Sequence, residues 1–279
     1  MITLLLTTIT MLAFAANSLL GRAALAGGTI DALSFTAIRL ISGALVLGVL
    51  LMLQRSRKDG DRLPGSWLSA LGLFAYGLCF SLGYGRLGAA TGALILFAAV
   101  QFGMIAWGLW RGDRPARLAV VGLVIAFTAF VVLLLPGLHT PDPLGAVLIT
   151  ISGLAWAVYS LRGRGSSDPM GDTAGNFLRA AVMCVPLGVV SLWQGVADAH
   201  GIALALVSGM ITSALGYMLW FRTQPRLSPF QAATVQLTVP VIAAVGGVLM
   251  LGEGLTLRLT VSGLCVLGGV ALTIVARRR

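Results

Sequence analysis

The residues of this chain that could do chemistry are mostly uncharged and lie inside apolar runs. Asn17, Tyr76, Gln101, Trp156, Tyr159, Tyr217 and Gln236 each interrupt a long hydrophobic stretch. Amides, hydroxyls and indoles placed there need partners, so each either bonds a neighbouring helix or faces a polar cavity. Together they suit a site that orients a neutral or zwitterionic small molecule with a few hydrogen bonds and aromatic faces. Two arginines, Arg39 and Arg179, stand at the edges of their runs. Such arginines snorkel or pair with backbone carbonyls, or they act as gates that attract a substrate carboxylate or lock a closed face. Pro240 lies within a run and leaves the Gln236 carbonyl without its helical partner. At membrane depth that carbonyl must be met by protein or by cavity water, so a kink here beside the Gln236 side chain points to a wet cavity or to a purely structural bend. Pro186 makes a weaker case of the same kind, since only Val182 stands behind it.

What is missing narrows the chemistry. The acids Asp31, Asp59, Asp61, Asp113, Asp142, Asp168, Asp172, Asp198 and Glu253 fall in connections or at helix ends, never at mid-span. Obligate proton coupling through a buried carboxylate is therefore not expected, and a cationic drug would find no buried counter-charge. Glu253 is expected to cap the helix that follows it. Cys79, Cys184 and Cys265 all lie in apolar runs, and His139 and His200 lie apart in loops. No disulfide framework, metal spacing or cofactor motif is expected. An intramembrane enzyme would need paired mid-span acids, a metal-binding helix or an activated serine, and the sequence offers none of these.

These side chains require membrane helices to position them. The mean hydropathy is +0.96. Apolar residues make up 58% of the chain and charged residues only 10%, against about 25% in soluble domains. Apolar runs predict ten spans, at 2–21, 32–53, 66–85, 88–110, 117–136, 143–161, 175–194, 201–221, 228–250 and 257–276. The first run reads as a retained span rather than a signal peptide. With the N-terminus cytoplasmic, fifteen of the nineteen basic residues fall on the inner side and only Arg22, Arg39, Arg86 and Arg258 on the outer. That bias predicts both termini in the cytoplasm of a bacterial-type inner membrane. It also accounts for the +10 charge, so no nucleic-acid partner is expected. Trp107, Trp110, Tyr84 and Trp220 fall near span ends and suit an interfacial aromatic belt.

The chain also repeats itself. A shift of 140 places Arg39 on Arg179, Gly48 on Gly188, Ala93 on Ala233 and Gly112-Asp113 on Gly252-Glu253, and a shift of 142 places residues 12–15 on 154–157. Five spans per copy put the copies in opposite orientation. The predicted fold is therefore an all-α integral membrane protein of ten helices, built as two inverted five-helix repeats, 1–139 and 140–279.

One stretch makes the pattern specific. Residues 227–272, LSPFQAATVQLTVPVIAAVGGVLMLGEGLTLRLTVSGLCVLGGVAL, place a helix with a central proline before a Gly-Glu turn and a last glycine-bearing helix. With LAFAANSLLGRAAL (12–25) and FTAIRLISGALVL (35–47), it resembles the drug/metabolite transporter superfamily, specifically the ten-helix EamA type. The first repeat departs from that pattern with Asp113 in place of Glu and Val100 in place of Pro240. The resemblance covers the whole chain and implies a secondary transporter, of the amino-acid exporter branch. Its implied partners are membrane lipid and a small molecule, an aromatic or other neutral amino acid or a similar metabolite. A broad metabolite or drug exporter is the alternative it leaves open.

Overall fold

The computed structural model describes residues 2–54, 63–87, 89–138, 140–251 and 256–276. Twelve α-helices follow in chain order: α1 (Ile2–Ala26), α2 (Ala32–Gln54), α3 (Trp67–Tyr84), α4 (Ala89–Trp110), α5 (Arg117–Leu134), α6 (Pro143–Gly163), α7 (Pro169–Gln194), α8 (Ala199–Val207), α9 (Gly216–Thr223), α10 (Pro229–Val235), α11 (Thr238–Leu251) and α12 (Leu257–Val275). They make ten helices long and apolar enough to cross a membrane. The eighth joins α8 to α9 through a π-helical stretch, Ser208–Leu215, and the ninth is α10 and α11 in series. Large aliphatic and aromatic side chains such as Leu4, Met52, Phe102, Val124, Leu192 and Leu264 are exposed on the outside of the bundle, as suits a surface turned to lipid.

Three of the acids sit at helix starts because they cap them. Asp142, Asp168 and Asp198 each accept a hydrogen bond from the backbone N–H three residues on, and α6 and α7 begin with a proline, which loses nothing there. The Asp168 cap starts α7 six residues before the apolar run that marks it in the sequence, so Asp172 lies in its first turn. Arg22, read as a loop residue, is inside α1, which runs on to Ala26. Pro186 is carried within α7. The Gly252-Glu253 turn and its expected cap, His139, the basic residues of 55–62 and the terminal arginines lie outside the described residues.

Packing follows a pattern. Helix α2 lies against α7, α5 against α12, and α4 against α10. Helix α3 lies against α6 as α1 lies against α8 and α9, and α4 lies against α6 as α1 lies against α11. Exchanging the first five spans for the last five carries each of these pairs onto itself or onto another. Close approach makes the pairing possible. At the α5–α12 crossing Gly122 and Gly269 face each other, so that a Cβ on either would overlap the other's carbonyl, and Thr273 Oγ1 donates across to the Ala119 carbonyl at 3.2 Å.

Each end of α7 is tied to a neighbouring connection, the one entering α3 at one face and the one entering α2 at the other. At the face carrying the N-terminus, Asp172 and Asn176 of α7 accept from the N–H groups of Gly65 and Ser66 at 2.8 and 2.9 Å. At the opposite face, Asp31, just before α2, accepts from the Val196 N–H at 3.0 Å, and Ile30 bridges to Ala197. Burial works against the Asp31 charge, but the Ser34 hydroxyl and the N–H groups of Ser34, Leu33 and Val196 outweigh it and hold the carboxyl below its ordinary value of 3.8. A carboxyl with a lowered folded value stabilises fully above its unfolded value and loses that contribution as pH falls through the folded one. Asp31→Asn is thus expected to lower the thermal midpoint near neutrality, and the deficit should shrink on acidification below about pH 4. Unfolding scans at graded pH read this directly; an undiminished deficit in acid would assign the loss to some other cause.

Candidate functional site

Near the middle of the bundle, side chains from six helices enclose a cavity of about 40 Å³. Asn17 and Phe14 come from α1, Tyr76 from α3, Trp156 from α6, Tyr217 from α9, and Gln236 from the break in the ninth span. Phe80, Leu96, Phe97, Val100, Ser18 and Val239 extend the wall toward the face opposite the N-terminus, judged by their positions along their helices. The volume holds water but falls well short of the 300–1,000 Å³ of an occupied ligand pocket.

Local backbone irregularities aim the polar groups. The helix of the ninth span breaks at Gln236–Leu237, where the N–H groups of Gln236 and Leu237 reach back three residues instead of four. Pro240 sits in the first turn of α11, just past the break. The Gln236 carbonyl, expected to be left without a helical partner, accepts from Val239 N–H at 3.1 Å. That carbonyl is thus met by a tighter turn of the chain at the break. The Gln236 side chain is also engaged: its Oε1 accepts from Trp156 Nε1 at 2.7 Å, and its Nε2 donates to the Ala232 carbonyl at 2.9 Å. In the eighth span the π-helical stretch turns three hydroxyls, Ser208, Thr212 and Ser213, onto Asn17 Oδ1 at 2.7, 3.0 and 3.3 Å. Single-turn π widenings inside α-helices cluster at functional sites.

Aromatic rings close the cavity toward the N-terminal face. Trp156 lies 4.9 Å from Tyr76, 4.8 Å from Tyr217 and 5.8 Å from Tyr159 between centroids. Tyr159 in turn lies 4.8 Å from Phe221. Beyond this stack a hollow of about 190 Å³ opens at that face, lined by Gly65, Ser66, Ser69, Arg162, Gly163, Asp172, Asn176 and Phe221. Trp220, suited by position to the interfacial belt, is instead fully buried beside the stack and donates through Nε1 to Ser160 Oγ at 3.0 Å. Trp110, by contrast, is exposed as a belt residue would be.

Five of the seven polar and aromatic candidates therefore meet at one cavity: Asn17, Tyr76, Trp156, Tyr217 and Gln236. Gln101 does not; it donates through Nε2 to the Ala233 carbonyl at 2.7 Å and ties α4 to α10, with its Oε1 left unpaired. Tyr159 belongs to the stack below the cavity, where its hydroxyl lies beside Asn176 and Thr173 without a well-formed hydrogen bond. Phe14, Phe80 and the three hydroxyls of the eighth span are wall or support residues that sequence reasoning passed over. The hydroxyl spacing in SGMITS was the available signal.

The two arginines that align in the sequence have different environments. Arg179 pairs with backbone carbonyls: Nη1 donates to Pro64 at 2.6 Å and Gly175 at 3.0 Å, Nη2 donates to Leu63 at 3.1 Å, and the group stands 5.8 Å from the Trp67 ring. It pins the chain entering α3 at the N-terminal face. Arg39 neither snorkels nor pairs with a carbonyl. It is 1% exposed, donates through Nε to Ser213 Oγ at 2.8 Å and through Nη2 to the Tyr217 hydroxyl, and lies 5.5 Å from the centre of the Tyr76 ring.

A helical bundle that is apolar toward lipid and encloses a polar, aromatic cavity at mid-depth is the form of a membrane transporter for small molecules. The chain belongs to the EamA-like transporter family, whose model matches residues 1–135 and again residues 143–275. An uncharacterized protein of Pseudomonas aeruginosa is 50% identical over 275 residues, covering 99% of this chain and 95% of its own. The threonine/homoserine exporter RhtA of Escherichia coli K12 is 29% identical over 97% of this chain and 92% of its own length. The exporter of the same name from Salmonella typhimurium LT2 is 31% identical over 79% of this chain and 74% of its own. A crystal structure at 17% identity, covering 99% of both chains with a TM-score of 0.80, shares the fold.

Proposed function

We propose that the protein exports neutral amino acids across the bacterial cytoplasmic membrane, small hydroxylated ones first, by alternating access between inverted repeats 1–139 and 140–279. The observation that carries this is the cavity. It lies at mid-depth, it is sealed by rings at one face, and it offers amides, phenols and aromatic faces with no carboxylate in its wall. Such a wall suits a zwitterion with a small neutral side chain better than a cationic drug. The exchange pattern in the packing supports the repeats, since mirrored halves can swap conformations to open either face. The basic residues support placing both termini, and with them the hollow beside Arg162, in the cytoplasm. The names of the Escherichia coli and Salmonella relatives favour threonine-like substrates over aromatic ones. In the conformation described, the cytoplasmic end is shut and the cavity is contracted.

Two measurements test this. Cells overproducing the protein are expected to tolerate otherwise inhibitory concentrations of threonine or homoserine. Purified protein in liposomes is expected to exchange labelled neutral amino acids, and a panel of all twenty with and without a pH gradient would identify the substrate and any proton coupling. Failure to move any of the twenty would refute the reading.

A further inference from the structure

Arg39 is a buried cation for which no described residue supplies an anion. It is 1% exposed, and the ion pair between Arg86 and Asp142 lies elsewhere. Its hydrogen-bond partners, Ser213 Oγ and the Tyr217 hydroxyl, are neutral, and Tyr76 beside it offers a neutral phenol and a π face rather than an anion. A guanidinium in the membrane interior that neither snorkels nor pairs is expensive, and the chain gains no helix cap or loop anchor from it, as it does from Arg179. The two rings that separate Arg39 from the cavity, Tyr76 and Tyr217, both line it. Because Arg39 donates to the Tyr217 oxygen, that phenol keeps its own proton to donate. On the same side, Asn17 has its carbonyl oxygen engaged by three hydroxyls, which leaves its N–H donors for the cavity. That pole of the cavity therefore carries positive charge and hydrogen-bond donors.

We propose that Arg39, acting through the Tyr217 hydroxyl to which it donates, is the anchor for the substrate's carboxylate, so that transport selects molecules bearing a free acid group. This rests on the amino-acid reading above and adds to it the feature of the substrate that is recognised. An amino acid whose carboxyl is masked as a methyl ester or carboxamide keeps its ammonium and side chain but has no anion to offer this pole.

The test uses full-length protein in liposomes loaded for counterflow with the best-carried of the twenty amino acids. The free acid is competed against its own methyl ester and carboxamide. A hydrogen-bonded charge pair lost from a desolvated site costs roughly ten- to a hundred-fold in affinity, so the masked compounds are expected to compete that much less well. Arg39→Gln should bring the ratio of acid to ester close to one, Arg39→Lys should restore part of it, and Tyr217→Phe should lower it while leaving Arg39 in place. A site that merely needs Arg39 for folding would lose transport without any change in that ratio. Tyr217→Phe serves as the second variant if Arg39→Gln does not assemble. Equal competition by acid, ester and amide in the wild type, or a ratio that survives both substitutions, overturns the proposal while leaving amino-acid export standing. If none of the twenty is carried at all, the underlying reading falls first and this one with it.

Discussion

Gly163→Leu is expected to abolish most transport by preventing the N-terminal face from closing. Gly163 is the last residue of α6, and the Phe221 ring lies directly on it, so that a Cβ there would overlap the ring. Phe221 cannot simply swing aside. It is 1% exposed and stacked against Tyr159, which backs onto Trp156 and Tyr217. Overpacking of this kind costs about 1–3 kcal/mol, which shifts a two-state equilibrium roughly five- to a hundred-fold toward the open state. The expected readouts are a large fall in liposome exchange and faster alkylation, from the N-terminal face, of a single cysteine placed by Ser69→Cys in a background without Cys79, Cys184 and Cys265. Gly165→Leu, two residues further on with open space around it, is the control and should be silent in both. Wild-type exchange and labelling rates in Gly163→Leu would mean that the ring stack is not a gate.

The sequence made the spans legible because the bilayer allows few alternatives: each crossing takes about 20 apolar residues, and every backbone group must be satisfied within the helix. It was less reliable at the ends of spans, where capping overrides hydropathy. The Asp168–Pro169 start of α7 reads as a loop by composition, yet the aspartate cap and the proline at the first position make it the beginning of a helix. Inside the spans, polar and aromatic residue types pointed to five of the twelve residues of the cavity wall, and the mostly apolar remainder carried no such signal. What they could not give was direction. Gln101 and Gln236 lie at equivalent depths in aligned helices, but one clamps a neighbouring carbonyl and the other bonds Trp156 at the cavity. Arg39 and Arg179 align at a shift of 140, and only the packing tells them apart. A hydroxyl-bearing π stretch stands opposite Arg39, and loop carbonyls stand opposite Arg179. Pro240 marked the bend of the ninth span, but the helix gives way three to four residues earlier, where the chain can tighten its turns. The π stretch itself left no trace in hydropathy, because widening a helix by one residue changes which side chains align and not which are apolar.

Trp156→Ala should be the most damaging single change at the cavity, because Trp156 serves both the ring stack and the amide network. Its ring touches Phe14, Tyr76, Tyr159 and Tyr217, and its Nε1 supplies the hydrogen bond to Gln236 Oε1. Truncation removes a side chain that is 5% exposed, which typically costs about 3–5 kcal/mol, and leaves the Gln236 oxygen without its donor. Trp156→Phe separates the two roles: it keeps a ring in the stack but drops the N–H, so it should recover most of the thermal stability and only part of the transport. Gln236→Leu removes the acceptor instead. If the indole–amide bond is what holds the kinked ninth span against α6, the double variant Trp156→Phe, Gln236→Leu should be less damaged than the two single losses added together, with a coupling of about 0.5–3 kcal/mol in unfolding free energy. Strict additivity would show that the two side chains act separately. The bend at Gln236–Leu237 would then be held by its backbone and by Pro240 alone, and the cavity floor would owe its shape to ring packing rather than to the amide.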